Sequence, residues 1–288
     1  LTSPLISDKV LLNCLGYGKS RKEGGAMRRI SKMFLICSLL LSLTLSVNAQ
    51  IPDAIGIWLF DEGAGDTAKD SSGNGNDGKF VGGGEWVDGK FGKAVRFNGV
   101  NQCIEVPDSN TLDIEGDQVT ILCWFWWEGS GDGWQTFVSK GPMSGTWENW
   151  AYFINMPNRH THFVINPNGN RQWINSPVNA FGPKEWHFTA GTYDGKNVKI
   201  YMDGDLVTTQ PVSGKLVPND NTLRIGHREG SPHWWNGILD EIAVFKRALS
   251  EDEIKAIMKD GLSKSLLPVG PRGKLPTLWG DVKERGLR

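Results

Sequence analysis

The sequence predicts an all-β protein: a two-sheet antiparallel sandwich of the jelly-roll type, closed by one short C-terminal helix. Three observations predict it. Short runs rich in Val, Ile, Phe, Tyr and Trp recur along the chain, broken by Gly, Asn and Asp. Asp-Gly pairs stand between consecutive runs, where tight hairpins need positive φ. Helical periodicity is not interleaved with these runs, which argues against a parallel βαβ sheet. Composition agrees: 36 Gly and 13 Trp in 288 residues, with 10% aromatics, disfavour a coiled coil, a helical bundle or a disordered chain.

The strand-like runs fall at 55–60, 94–97, 103–106, 119–127, 136–139, 151–155, 161–165, 187–193, 198–202, 223–225 and 238–245. Asp194-Gly195 separates WHFTAGTY from NVKIYM, and Asp203-Gly204 separates KIYM from LVTT, so these three strands should form a meander. The helix is announced by Ser250 and Glu253, a capping box in which each side chain satisfies the other's backbone amide. Ile254, Ile257 and Met258 then recur at helical spacing, and Gly261 stops the run. Residues 262–288 contain three prolines and a basic balance, and read as an extended tail that Trp279 could pin to a surface.

The formal net charge of −1 conceals an asymmetry. Residues 1–49 carry seven basic against two acidic side chains, and residues 262–288 carry six against two, which leaves −10 for residues 50–261. An acidic main domain repels phosphate backbones, so nucleic acid is excluded as a partner. From Met27 the chain reads as a secretory signal peptide ending at Ala49: Arg28, Arg29 and Lys32 precede an apolar run over 33–47, and Val47-Asn48-Ala49 offers a cleavage site. About 15 apolar residues fall short of the ~20 that span a bilayer, so no transmembrane segment is expected in the mature chain. Ile36 is too bulky for lipid attachment at Cys37. Residues 1–26 read as sequence upstream of a better start at Met27. An exported chain would then keep Cys103 and Cys123, which either form a bridge or serve as two small buried apolar residues.

Further blocks resemble a known family. GIWLFDEGAGDTAKDSSGNGNDGKF at 56–80, FGKAVRFNGVNQCIEVPDSNTLDI at 91–114 and VTILCWFWWEG at 119–129 come first. WHFTAGTYDGKNVKIYMDGDLV at 186–207, LRIGHREG at 223–230 and GILDEIAVFKRALSEDEIKAI at 237–257 follow in order. Together they resemble the laminin-G-like jelly roll of the concanavalin A-like lectin/glucanase superfamily, in its bacterial secreted form. The resemblance implies the sandwich fold. It does not choose among the lectins, adhesive modules and glycanases that share it.

DSSGNGNDG at 70–78 is the strongest chemical candidate. Asp70, Ser72, Asn74 and Asn76 offer oxygen at every second position, and the glycines let the loop curl, a pattern suited to Ca²⁺. The twelfth position is Val81 rather than a bidentate Glu, so a further carboxylate must come from elsewhere. The family resemblance implies Asp240, giving an expected structural Ca²⁺ on Asp70, Asn74, Asn76 and Asp240. The alternative is a glycine-rich turn closed by side-chain hydrogen bonds. Gly73, Gly75 and Gly78 also match a dinucleotide-binding fingerprint, but KFVGGGEWV follows where a helix must start.

Trp58, Trp124 and Trp186 lie in strand motifs and read as core. Trp134, Trp147, Trp150, Trp173, Trp234 and Trp235 lie in or near polar connections, where flat rings beside Asn, Glu and Arg suit sugar recognition. His160 and His162 share a strand face and read as surface residues, and His187 as structural. The paired carboxylates of superfamily glycanases, alternating along one strand, are not found; Asp240 and Glu241 are adjacent and should face opposite ways. The sequence therefore predicts a secreted, noncatalytic carbohydrate-binding or adhesive module. Its partner would be a glycan or a cell-surface or matrix component. A hydrolase or lyase without the usual carboxylate pair, and a protein-interaction module, are the alternatives.

Overall fold

A computed structural model describes residues 51–130, 133–141, 150–155 and 158–266. In chain order the strands are β1 (Ala54–Trp58), β2 (Thr67–Ala68), β3 (Gly78–Val81), β4 (Glu85–Asp88), β5 (Lys93–Asn98), β6 (Cys103–Val106), β7 (Val119–Trp127) and β8 (Trp134–Lys140). They continue as β9 (Trp150–Asn155), β10 (His160–Ile165), β11 (Gln172–Asn175), β12 (Trp186–Tyr193), β13 (Asn197–Met202), β14 (Asp205–Pro211), β15 (Leu223–Ile225) and β16 (Asn236–Phe245). Two antiparallel sheets result. One runs β14-β13-β12-β7-β16-β5-β4 with β1 also on β16; the other runs β11-β10-β9-β8-β15-β6-β3-β2. The predicted sandwich is thus present, and every predicted run coincides with a strand.

The hairpins form for the expected reason. Asp203 and Gly204 both take positive φ, 49° and 88°, the requirement of a two-residue turn whose twist matches its strands. The Asp194 carboxylate accepts the amides of Lys196 and Asn197, closing the other turn. β12, β13 and β14 are the predicted meander.

Strand alternation sorts side chains into layers. On β7, Val119, Ile121, Cys123, Phe125 and Trp127 enter the core between the sheets, with Trp58, Phe137, Trp150, Phe163, Trp235 and Leu239. Leu122 and Trp124 point the other way. There they meet α1 (Glu251–Asp260), whose Ile254 and Ile257 complete a second apolar layer with Phe188, Tyr201 and Phe245. The uninterrupted apolar run at 119–127 is explained by burial on both sides. Ser250 and Glu253 form the expected capping box, and Gly261, at φ 79°, ends the helix.

One finding differs from expectation, and one open alternative is decided. Residues 262–266 are not extended: α2 (Leu262–Leu266) follows at once, because Leu262 is buried in the second layer and its amide donates to Glu241. Cys103 and Cys123 are both free and buried, so no bridge forms between them. Cys123 faces the core, whereas Cys103 alternates with core-facing Ile104 and so lies on the far side of its own strand. Burial pushes the Cys103 thiol up to about 11 and the Cys123 thiol up as well, which keeps both protonated and inert. Among the described residues no helix is long and apolar enough to cross a membrane.

Candidate functional site

The outer face of the β8–β11 sheet is where the predicted binding residues meet. On β10, Phe163 and Ile165 enter the core, so His160, His162 and Val164 project outward. β11 is registered with Trp173 opposite Val164 and Asn175 opposite His162. Trp134, at the start of β8, lies over this surface: its ring is 4.3 Å from His162, 5.6 Å and nearly perpendicular to Trp173, and 6.3 Å from His233. The guanidinium of Arg171 lies 4.1 Å from the centre of the Trp173 ring, and buried Arg228 reaches to 5.9 Å from it. Trp173 itself remains 39% exposed. Nearby, Trp234 stacks on His227 at 3.5 Å and 11°.

The imidazoles are held neutral. Burial, assisted by the adjacent His160, pushes His162 down to about 3, and burial, with the Arg228 charge and the neighbouring His227, pushes His233 to about 4. At neutral pH the face presents the Trp134 and Trp173 rings, half-buried His160 and the Arg171 guanidinium, backed by buried, uncharged His162 and His233 and by buried Arg228. Such a surface can stack on sugar rings and donate hydrogen bonds to hydroxyls or carboxylates.

The predicted tryptophans divide. Trp134, Trp173 and Trp234 are at least partly exposed. Trp150 and Trp235 are not available to any ligand, because both are fully buried between the sheets, Trp235 against Phe137 at 4.8 Å. Trp147 lies outside the described residues. Of the strand tryptophans, Trp58 and Trp124 are buried as expected, and Trp186 is half-buried against Trp126. His160 and His162 do share a face, 4.2 Å apart, but His162 is buried under Trp134 rather than exposed. His187 is structural: its Nδ1 meets Asp203 at 2.8 Å and its Nε2 receives the Gly182 amide. Burial opposes its proton, yet Asp203 and Glu185 together raise its pKa above the usual value. Arg171 stands two positions before Trp173 in the sequence, whereas Arg228, in the LRIGHREG block after β15, is brought to Trp173 only by the fold.

The loop at 70–78 is closed on itself. Asp70 Oδ1 accepts the amides of Ile57 and Ser72, and Oδ2 accepts the Ser72 hydroxyl and the Asn76 amide, which fills the four positions a carboxylate offers. The side-chain nitrogens of Asn74 and Asn76 point at the carbonyls of Ala54 and Ile55, and Asn76 Oδ1 accepts the Ser109 and Thr111 hydroxyls. The loop then enters β3, a strand and not a helix, so the glycine fingerprint has no helix N-terminus to offer a pyrophosphate. The side-chain oxygens of Asp70 and Asn76 are thus engaged by protein donors.

Asp240 is different. It is completely buried; Oδ2 accepts the Phe91 amide, and Oδ1 has no hydrogen-bond partner. Oδ2, the Lys93 carbonyl and the Ala94 methyl lie 2.6, 2.8 and 3.0 Å from the point where a side chain at Gly89 would begin, so only glycine fits against Asp240. The unpaired Oδ1 is the one oxygen of this carboxylate left open to a hard cation. Its neighbour does not face the opposite way. Glu241 sits at φ 46° in a bulge between Asp240 and Ala243, which turns both carboxylates toward the Phe91 and Gly261–Leu262 corner. Burial, opposed by backbone amides, raises Asp240 to about 8 and Glu241 to about 7. Both are shielded by the second apolar layer, across the sandwich from Trp134. Among the described residues no three His, Cys, Asp or Glu side chains gather as a metal site.

Comparison with known proteins agrees with this architecture. Over 136 residues, 46% of this chain and 8% of the relative, the sequence is 26% identical to pappalysin-1 of Homo sapiens; the chain thus spans a small part of the length of the curated relatives it matches. The binding domain of Paraclostridial Mosquitocidal Protein 1 superposes with TM-score 0.58 at 18% identity, covering 72% of this chain and 52% of that one. Domain 4 of AbnA, an extracellular arabinanase from Geobacillus stearothermophilus solved with arabinotriose, superposes with TM-score 0.53 at 20% identity, covering 73% of this chain and all of that one. These likenesses show a shared fold. The laminin G model described as concanavalin A-like lectin/glucanases superfamily matches residues 98–255, more than half of the sequence, and the chain belongs to that family.

Proposed function

We propose that this chain is an exported carbohydrate-binding module whose glycan seat is the outer face of β8–β11, centred on Trp134 and Trp173. One observation carries the reading: two partly exposed indoles, set at 68° and 5.6 Å, stand beside Arg171, Arg228 and neutral His162 on one sheet face. Rings at an angle grip the apolar faces of a sugar while the half-buried Arg171 guanidinium takes its oxygens, with buried His162 and Arg228 holding the rings in place. AbnA domain 4, a domain of this fold solved in complex with arabinotriose, supports the choice of ligand class. Export follows from the leader at 27–49, which lies outside the described residues.

A glycan array probed with the full chain, Trp134→Ala and Trp173→Ala tests the seat. Binding by the parent chain with at least a tenfold loss in each variant supports it. Binding to no glycan, with capture of an envelope protein instead, would move the reading to protein interaction, and release of reducing sugar from a polysaccharide panel would move it to hydrolysis.

A structural Ca²⁺ belongs to the same proposal, with its ligand set narrowed to Asp240 and neighbouring backbone carbonyls. Such an ion would tie β16 to the β4–β5 turn and neutralise a buried carboxylate. Thermal melting with and without chelator is the test: a lower midpoint in chelator, absent in Asp240→Asn, is expected. An unchanged midpoint removes calcium from the account.

A further inference from the structure

We infer that the glycan seat extends along β10 to a second subsite, a groove at Asn166, so that the chain takes an oligosaccharide rather than a single terminal sugar. This rests on the carbohydrate reading above. The groove has a volume of about 480 Å³, and its lining includes Asn166, Gly169, Val217, Pro218, Asp220 and Asn221.

Position comes first. Because Phe163 and Ile165 face the core, the outward row on β10 is His160, His162 and Val164, and Asn166 continues it just past the strand end. At ~3.3 Å per residue, Asn166 lies roughly 13 Å along this row from His162, a span that one extended ligand can cover. Val164 packs under Trp134, so the aromatic seat and the groove share one strip of sheet.

Chemistry comes second. Asn166 is 5% exposed, yet its Oδ1 has no hydrogen-bond partner in the protein. A buried amide oxygen left unpaired is costly; it is closed off as the groove stands, and a turn of the Asn166 side chain, which lines the groove, would bring it to a ligand hydroxyl that supplies the missing donor. The facing wall is held in place rather than loose. Lys140 is fully buried, and its ammonium donates to the Asn219 and Asn221 carbonyls and to Asp108, which uses all three of its protons. Leu216 bridges both Gly116 and Pro167, and the Lys215 amide donates to Asn168.

The lining then selects the ligand. Lys140 has no proton to offer the groove, and the charge facing it is the carboxylate of Asp220, which repels phosphate, sulfate or uronate. The amides of Asn166 and Asn221 can both donate and accept, as hydroxyls require. Pro218 and Val217, the latter 46% exposed, offer apolar surface for a ring's C–H face. The class is a neutral, hydroxyl-rich sugar unit at this end of the strip.

Calorimetric titration of the full chain with arabino-, gluco- and galacto-oligosaccharides of increasing length tests the inference. For the series that binds, affinity should rise with length. Asn166→Ala and the exposed change Asp220→Ala should each lower affinity for the longer members about tenfold while leaving the shortest binder unchanged. Trp173→Ala should weaken every length. Wild-type affinity for long members in both groove variants, with Trp173→Ala still impaired, overturns the second subsite and leaves the glycan seat standing. Binding of none of the three series by the parent chain overturns the glycan reading and the subsite together.

Discussion

The two outer faces of this sandwich are covered by different chemistry. Across β7, β12 and β16 the cover is apolar: Ile254, Ile257 and Leu262 sit on Leu122, Phe188 and Phe245, and the charged side of α1 faces solvent. Across β8–β11 the cover is polar and aromatic: Trp134, Trp173, His162, His233 and two arginines. Both faces belong to strands with the same alternation, so the difference lies in which residues occupy the outward positions. A face closed by aliphatic packing contributes stability, whereas one surfaced by rings and hydrogen-bond donors is suited to an exchangeable ligand.

That contrast can be broken most strongly on the apolar side. Ile254→Ala should cost about 3 kcal/mol, read as a lower urea midpoint, and leave glycan binding intact in the folded protein. Acid should act on the other side. His162 and His233 are held far below their unfolded value of ~6.5, so the unfolded chain takes up their protons first and their contribution falls as pH drops below about 6.5. By pH 5 each should have cost about 2 kcal/mol; Asp240 and Glu241, raised by burial, take up protons first in the folded chain and act in the opposite sense, so the test is the difference between parent and His162→Gln in urea melts, which should move by about 2 kcal/mol in the variant's favour between pH 7 and pH 5. Ser250→Ala removes the cap of α1 and should cost about 1 kcal/mol in the same melts. Smallest in stability is Trp173→Ala, under about 1 kcal/mol because the ring is partly exposed, although its effect on binding should be large.

The sandwich was legible because its central strands carry long apolar runs and its hairpins carry Asp-Gly. β2, β3, β4 and β11 were not, since they are two to four residues long and bury few side chains. The site was legible by residue type but not by direction. Trp150 precedes a predicted strand by one position and shares the parity of core-facing Tyr152, and Trp235 shares that of Leu239; alternation alone, carried one strand-step further, places both inside. Asp240 and Glu241 could not be placed that way. The bulge at Glu241 breaks the alternation, and a single positive φ leaves no mark in composition. Nor could the 70–78 loop be decided from oxygen spacing, because Asp70 and Asn76 spend their oxygens on Ile57, Ser72, Ser109 and Thr111, partners up to 35 residues away.

The central claim is that the aromatic face, and not the helix-covered face, binds glycan. Titration of one array-positive oligosaccharide into the parent chain, Trp134→Ala/Trp173→Ala and Ile254→Ala measures it directly. The account predicts lost binding in the tryptophan pair, with its fold retained, and parent-like binding in Ile254→Ala. Parent-like affinity in the tryptophan pair would contradict it.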